Sequence, residues 1–131
     1  MTPDPNWKLS RLGQIAVTVE DLERAVRFYR DTLGLPFLFQ VPKLAFFDCA
    51  GVRLMLGLAE HPGGKLHNSI LYYQVDDIQH GHQTLASRGV QFVDPPHLIA
   101  KLPDHDLWMG FFKDSEGNLL GLMSEVRPPA A

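Results

Sequence analysis

The chain carries the same pattern twice, and this constrains its fold more than any other feature. "QIAVTVEDLERAVRFYRDTLGL" spans residues 14–35 and "SILYYQVDDIQHGHQTLASRGVQFV" spans 69–93. In the first copy Ile15, Val17 and Val19 alternate with Gln14, Ala16 and Thr18, the pattern of a half-buried strand. Asp21 can cap a helix, Leu22, Ala25, Val26, Tyr29 and Leu33 recur at helical spacing, and Gly34 stands where a left-handed terminating residue belongs. In the second copy Leu71, Tyr73 and Val75 alternate, Asp77 caps, Ile78, Leu85 and Ala86 form a weaker stripe, and Gly89 closes the helix. Asp21 to Asp77 is a shift of 56 residues, and Gly34 to Gly89 a shift of 55.

The following hairpins align as well. "AFFDCAGVRLMLGL" (45–58) is answered by "FFKDSEGNLLGLM" (111–123), with Asp48 and Gly51 matching Asp114 and Gly117 at a shift of 66. The growing shift places about ten extra residues in the second copy, assigned to a loop within "DPPHLIAKLPDHD" (94–106). Each copy thus reads strand, helix, strand, strand, strand, with helices over 21–33 and 77–88. Two copies mean two pseudo-equivalent units packed together, since a solenoid needs at least ~3.

At 131 residues this is the length of one domain, taken as 1–131, with module one about 9–58 and module two about 68–125. A net charge of −3 gives no basic footprint, so nucleic acid is not an expected partner. No segment approaches the ~18 apolar residues of a membrane span. The start, "MTPDPNWKLSRLG", lacks the apolar stretch of a secretory signal, and the single Cys49 fits a reducing compartment, so the expected location is the cytoplasm.

"QIAVTVEDLERAVRFYRDTLGL", "LYYQVDDI" and "FFKDSEGNLLGLM" resemble the vicinal oxygen chelate superfamily, which includes glyoxalase I, extradiol dioxygenases, methylmalonyl-CoA epimerase and the fosfomycin- and bleomycin-resistance proteins. The likeness covers roughly residues 9–125. It implies an α+β fold of two tandem βαβββ modules forming a cup-shaped, curled mixed sheet with helices on the outside and a ligand or metal within. It also implies a homodimer. The family's metal-ligand positions transfer to Gln14, Met55, Ile70 and Gly121. Some glyoxalases use glutamine at the first position, but isoleucine and glycine offer no side-chain donor and a thioether is too soft for hard cations. No metal or other cofactor is therefore expected, and Met55 and Gly121 are read as lining a ligand cavity.

Carried through both copies, the alternation puts Gln14, Ala16, Thr18, Arg53, Met55, Ile70, Tyr72, Gln74, Leu119, Gly121 and Met123 on that wall. Gln14, Arg53, Met55, Ile70, Tyr72, Trp108, Gly121 and Met123 are the expected ligand contacts, Trp108 by stacking on a flat molecule. The same apolar residues are equally compatible with filling a core.

The insert holds His97, Asp104, His105 and Asp106. His97, His105 and Asp106 are the candidate catalytic residues, for general acid–base work or an atypical divalent-metal site; a solvated loop is the alternative. His80, His82, His61 and His67 read as surface, Gly63-Gly64-Lys65 as a hinge, and Cys49 as a turn residue rather than a nucleophile. The leading expectation is a protein that binds a small, partly apolar molecule. The rival is a lyase, isomerase or oxygenase working from the insert.

Overall fold

The computed structural model describes residues 4–59 and 68–129. His61, His67 and Gly63-Gly64-Lys65 lie outside the described residues. The first module runs β1 (Gln14–Val19), α1 (Leu22–Arg27), β2 (Phe37–Val41), β3 (Leu44–Cys49) and β4 (Val52–Leu58), with α1 continuing into a π-helical segment at Phe28–Thr32. The second runs β5 (Leu71–Gln74), α2 (Ile78–Ser87), β6 (Phe92–Lys101), β7 (Asp106–Lys113) and β8 (Leu119–Val126). Both helices start identically. Asp21 and Asp77 are extended N-caps at φ −124°, and their carboxylates accept from the backbone N–H groups of Arg24 and His80 at 3.1 Å. Gly34 and Gly89 end them at φ +79° and +92°, a conformation that a side chain would strain.

The strand orders repeat too: β1-β4-β3-β2 and β5-β8-β7-β6. In each, the first and last strands of the module pair in parallel (Ala16 opposite Met55, Tyr72 opposite Gly121) and the remaining pairs are antiparallel. The two βαβββ modules are thus present, but the cup is not. Among the described residues the ladders form two separate four-stranded sheets, neither closed nor strongly curled, rather than one curled sheet.

The position of the core gives the reason. Val17, Val19, Phe47, Leu54 and Leu56 of the first sheet join Phe112, Leu120 and Leu122 of the second in one buried cluster, together with Leu22, Ala25, Val26 and Tyr29 of the first helix and Ile78 and Leu85 of α2. Both modules bury their helix-bearing faces together. The opposite faces, read as the inside of a cup, stay open: Tyr72 is 46% exposed and Ile70 40%. A period-two pattern tells which residues share a face, but not which face another layer will cover.

The expected loop at 94–106 is also corrected. Residues 92–101 are the edge strand β6. Pro95 and Pro96 are tolerated there because an edge strand needs N–H donors on one side only, and the register shifts between Asp94 and His97 absorb them. Gly110 of β7 permits this bulge, since a Cβ there would lie 3.1 Å from the nitrogen of Pro96. The true hairpin loop is the short stretch 102–105.

One turn clamps the modules together. Asp114, at the start of the β7–β8 turn, is buried and accepts from the Tyr29 hydroxyl at 2.7 Å. Burial pushes the Tyr29 phenol far above its ordinary pKa, and the Asp114 charge adds to this, so it remains a donor. Asn118 donates to the carbonyl of Thr18 and accepts from Asn68. Glu116 receives the guanidinium of Arg24 through Nε at 2.7 Å and Nη2 at 3.0 Å, and also accepts from the backbone N–H groups of Glu20 and Asp21. A carboxylate from the second module therefore sits at the N-terminus of the first module's helix, where the helix dipole favours it.

Burial alone would raise the pKa of Glu116, but Arg24, the Asp21 N–H and the Ser115 hydroxyl outweigh it and hold the carboxyl at about 2 instead of 4.5. A depressed folded-state pKa stabilises above the unfolded value and loses that contribution as pH falls toward the folded one. Between pH 4.5 and 2 the native protein should therefore lose stability faster than Glu116→Gln. Chemical denaturation at neutral pH and at about pH 3 measures this; equal losses in both proteins would show that the ion pair does not couple to folding.

Candidate functional site

The family's metal positions do not assemble a metal site. Gln14 and Met55 are neighbours across β1 and β4, with the glutamine Nε2 donating to the thioether Sδ at 3.9 Å. Ile70 and Gly121 supply no donor atoms. Among the described residues no group of three His, Cys, Asp or Glu side chains converges. The residues at these positions do not fit a divalent ion, which needs about three such ligands.

The open face of the second sheet is aromatic. Tyr72 and Phe111 meet edge to face with centroids 5.8 Å apart. Phe111 pairs with Gly121, and Met109 with Met123, so these four share the face with Tyr72. Gly121 has a different role from the one expected. A Cβ there would lie 2.5 Å from Cδ2 of Tyr72, so the glycine makes room for the tyrosine ring, which lies directly over the β8 backbone. On the first sheet Phe39 and Phe46 stack at 4.5 Å, and Arg53, exposed, holds its guanidinium 5.8 Å from the Phe46 ring centre. Each open face thus offers exposed aromatic surface, and the first adds a cation.

Ile70 and Tyr72 also edge an apolar slot of about 230 Å³ between the modules, with Ile15, Val52, Leu54 and Cys49. Burial pushes the Cys49 thiol up and the neighbouring Asp48 adds to it, which leaves little thiolate for nucleophilic work. Trp108 lies apart from the other expected contacts. It pairs with Ser124 and packs against the core on the helix side, beside Ile78, so it does not share the face of Gly121 and Met123.

The candidate catalytic residues are not brought together. His97 stands on β6 opposite Met109, half exposed, with Nδ1 3.0 Å from the Pro95 carbonyl, a contact that only an Nδ1–H can make. His105 lies in the hairpin loop beyond Asp106, four residues past Met109 and so about 13 Å further along the strand at ~3.3 Å per residue. Its Nδ1 meets Asp104 at 2.8 Å, and this hydrogen bond, with the Arg127 charge, holds the Asp104 carboxyl below its ordinary value. His105 and Asp106 border a depression of about 390 Å³ closed by Arg127 and Pro128. His97 is not among the residues that line it.

Phe111, Phe39 and Phe46 were not singled out in the sequence. The signal for Phe111 was present: once Asp114 and Gly117 fix the turn, the antiparallel register sets it opposite Gly121.

The match to known proteins agrees with this geometry. Residues 11–122 match the model of the Glyoxalase/Bleomycin resistance protein/Dioxygenase superfamily, and the chain belongs to that family. YraH of Bacillus subtilis (strain 168), an uncharacterized protein, is 28% identical over 127 residues, covering 84% of this chain and 94% of its own length. The crystal structure of a superfamily member from Sphaerobacter thermophilus DSM 20745 is 28% identical, with a TM-score of 0.71 and coverage of 89% of this chain and 98% of that one. TioX from Micromonospora sp. ML1 superposes with a TM-score of 0.75 over 89% of this chain and 100% of its own, at 18% identity, a likeness of fold alone.

Proposed function

We propose that this protein binds a small, partly apolar organic molecule on the open faces of its sheets, without the divalent metal common in its family. One observation carries the reading: two of the four family metal positions, Ile70 and Gly121, have no donor, and the space over Gly121 holds an exposed aromatic ring. Flat, apolar ligands stack on such surface, and Arg53 or Gln14 supplies a handle for an anionic or hydrogen-bonding group. The ligand would be enclosed by a homodimer in which the open face of one protomer meets its partner's. Exposed Phe39, Val41 and Tyr72, with the free edge strands β2 and β6, favour such covering. Sedimentation at micromolar concentration should show a dimer; a lone species at the chain mass of 14.7 kDa would count against it.

Anilinonaphthalene sulfonate, apolar and singly anionic, is a suitable probe. Saturable fluorescence enhancement is expected, weakened about 10-fold by Tyr72→Ala through loss of one aromatic contact. Unchanged affinity in both Tyr72→Ala and Arg53→Ala would refute this placement of the site.

A further inference from the structure

The two modules also flank a pocket of about 330 Å³ on the helix side, away from the open faces and open to solvent along its His80 and Arg88 edge. Its apolar wall comes from both modules: Leu33 and Leu35 follow the π-helical segment, and Val75, Phe112 and Leu122 belong to the second module. The facing wall is α2. His80, Thr84 and Arg88 stand four residues apart on it, so they form one polar ridge along the cavity, while Ile78 and Leu85 of the same helix are buried in the core. Arg88 is fixed in place by donating from Nη1 to the Thr32 carbonyl at 2.8 Å across the module boundary. Among the described residues it forms no ion pair, so its remaining donors and its charge are free. Tyr73 completes the wall. Its hydroxyl is buried and, among the described residues, lacks a hydrogen-bond partner; the ring also borders the slot around Cys49. Buried donors are rarely left unpaired in a native protein.

We propose that this cavity is a second binding site, for a small apolar carboxylate whose hydrocarbon or aryl body lies between Leu33, Leu35 and Phe112 and whose anionic end meets Arg88. The volume is at the small end of known ligand pockets, which suits a medium-chain or single-ring acid rather than a larger molecule. Thr84 and His80 extend the polar edge beside the carboxylate. The site touches Leu33 and Leu35 of the first module and α2 of the second, so an occupant would hold the modules together.

Octanoate, with neutral octanamide as control, tests this by calorimetric titration. Saturable binding of octanoate is expected, roughly 10- to 100-fold tighter than octanamide, the effect of one charge-assisted hydrogen bond. Arg88→Met should remove that preference, Thr84→Trp should abolish binding by filling the cavity, and Tyr72→Ala should leave both intact. A cooperative urea-unfolding transition like that of the native protein shows that the Arg88 and Thr84 variants are folded. Octanoate that fails to bind the native protein up to roughly 1 mM, or that responds to Tyr72→Ala and not to Arg88→Met, overturns the proposal.

Discussion

Asp114→Ala is expected to destabilise the fold by about 2–3 kcal/mol, the usual loss when a charged acceptor is removed and its buried donors are left unpaired. The carboxylate accepts four hydrogen bonds: from the Tyr29 hydroxyl at 2.7 Å, the backbone N–H groups of Glu116 and Asn118 at 2.8 Å each, and Asn118 Nδ2 at 2.9 Å. Alanine leaves Tyr29, whose ring is fully buried, with a hydroxyl that water cannot reach. It also frees the turn whose Glu116 holds the start of α1. Tyr29→Phe deletes one donor and leaves Asp114 the other three, so it should cost only about 1 kcal/mol. Urea unfolding of the three proteins checks the order. A loss under about 1 kcal/mol for Asp114→Ala would mean that apolar packing alone joins the modules.

Gly121→Phe should cost about 1–3 kcal/mol by overpacking, and most of that loss should vanish in a Tyr72→Ala background. The reason is specific: even a Cβ at this position would lie 2.5 Å from the Tyr72 ring, and a phenyl group claims the same space above the strand. Tyr72 is nearly half exposed, so it can swing away, but only by giving up its edge contact with Phe111. A double-mutant cycle measures the coupling, expected at about 1 kcal/mol or more for residues in direct contact. Additive losses would show that the glycine matters for the backbone rather than for the tyrosine.

These two sites mark how far the sequence could be read. The caps, the left-handed glycines and the strand alternation are local devices, each decided within a few residues, and Asp21, Gly34, Asp77 and Gly89 stand where local chemistry puts them. The arrangement of the two sheets is not local. Whether Val17 or Ala16 faces the other module depends on which faces bury more apolar surface when the modules meet, and the helix-bearing faces do. The prolines at 95–96 misled because their cost depends on whether a strand is central or at an edge, which only the assembled sheet decides. Gly121 was recognised as making space, but its occupant, a side chain two strands of sequence away, could be seen only in the register. His97 is close in sequence to His105 and Asp106 but separated from them along the β6–β7 hairpin, so proximity in the chain was a poor guide to a shared site.

Binding of anilinonaphthalene sulfonate to protein stripped with EDTA, and to the same protein reloaded with zinc, manganese or nickel, tests metal independence most directly. The donor-free positions Ile70 and Gly121 predict superimposable titration curves in all four preparations. Abolition of binding by the chelator, with recovery on adding back one metal at one equivalent per chain, would contradict it.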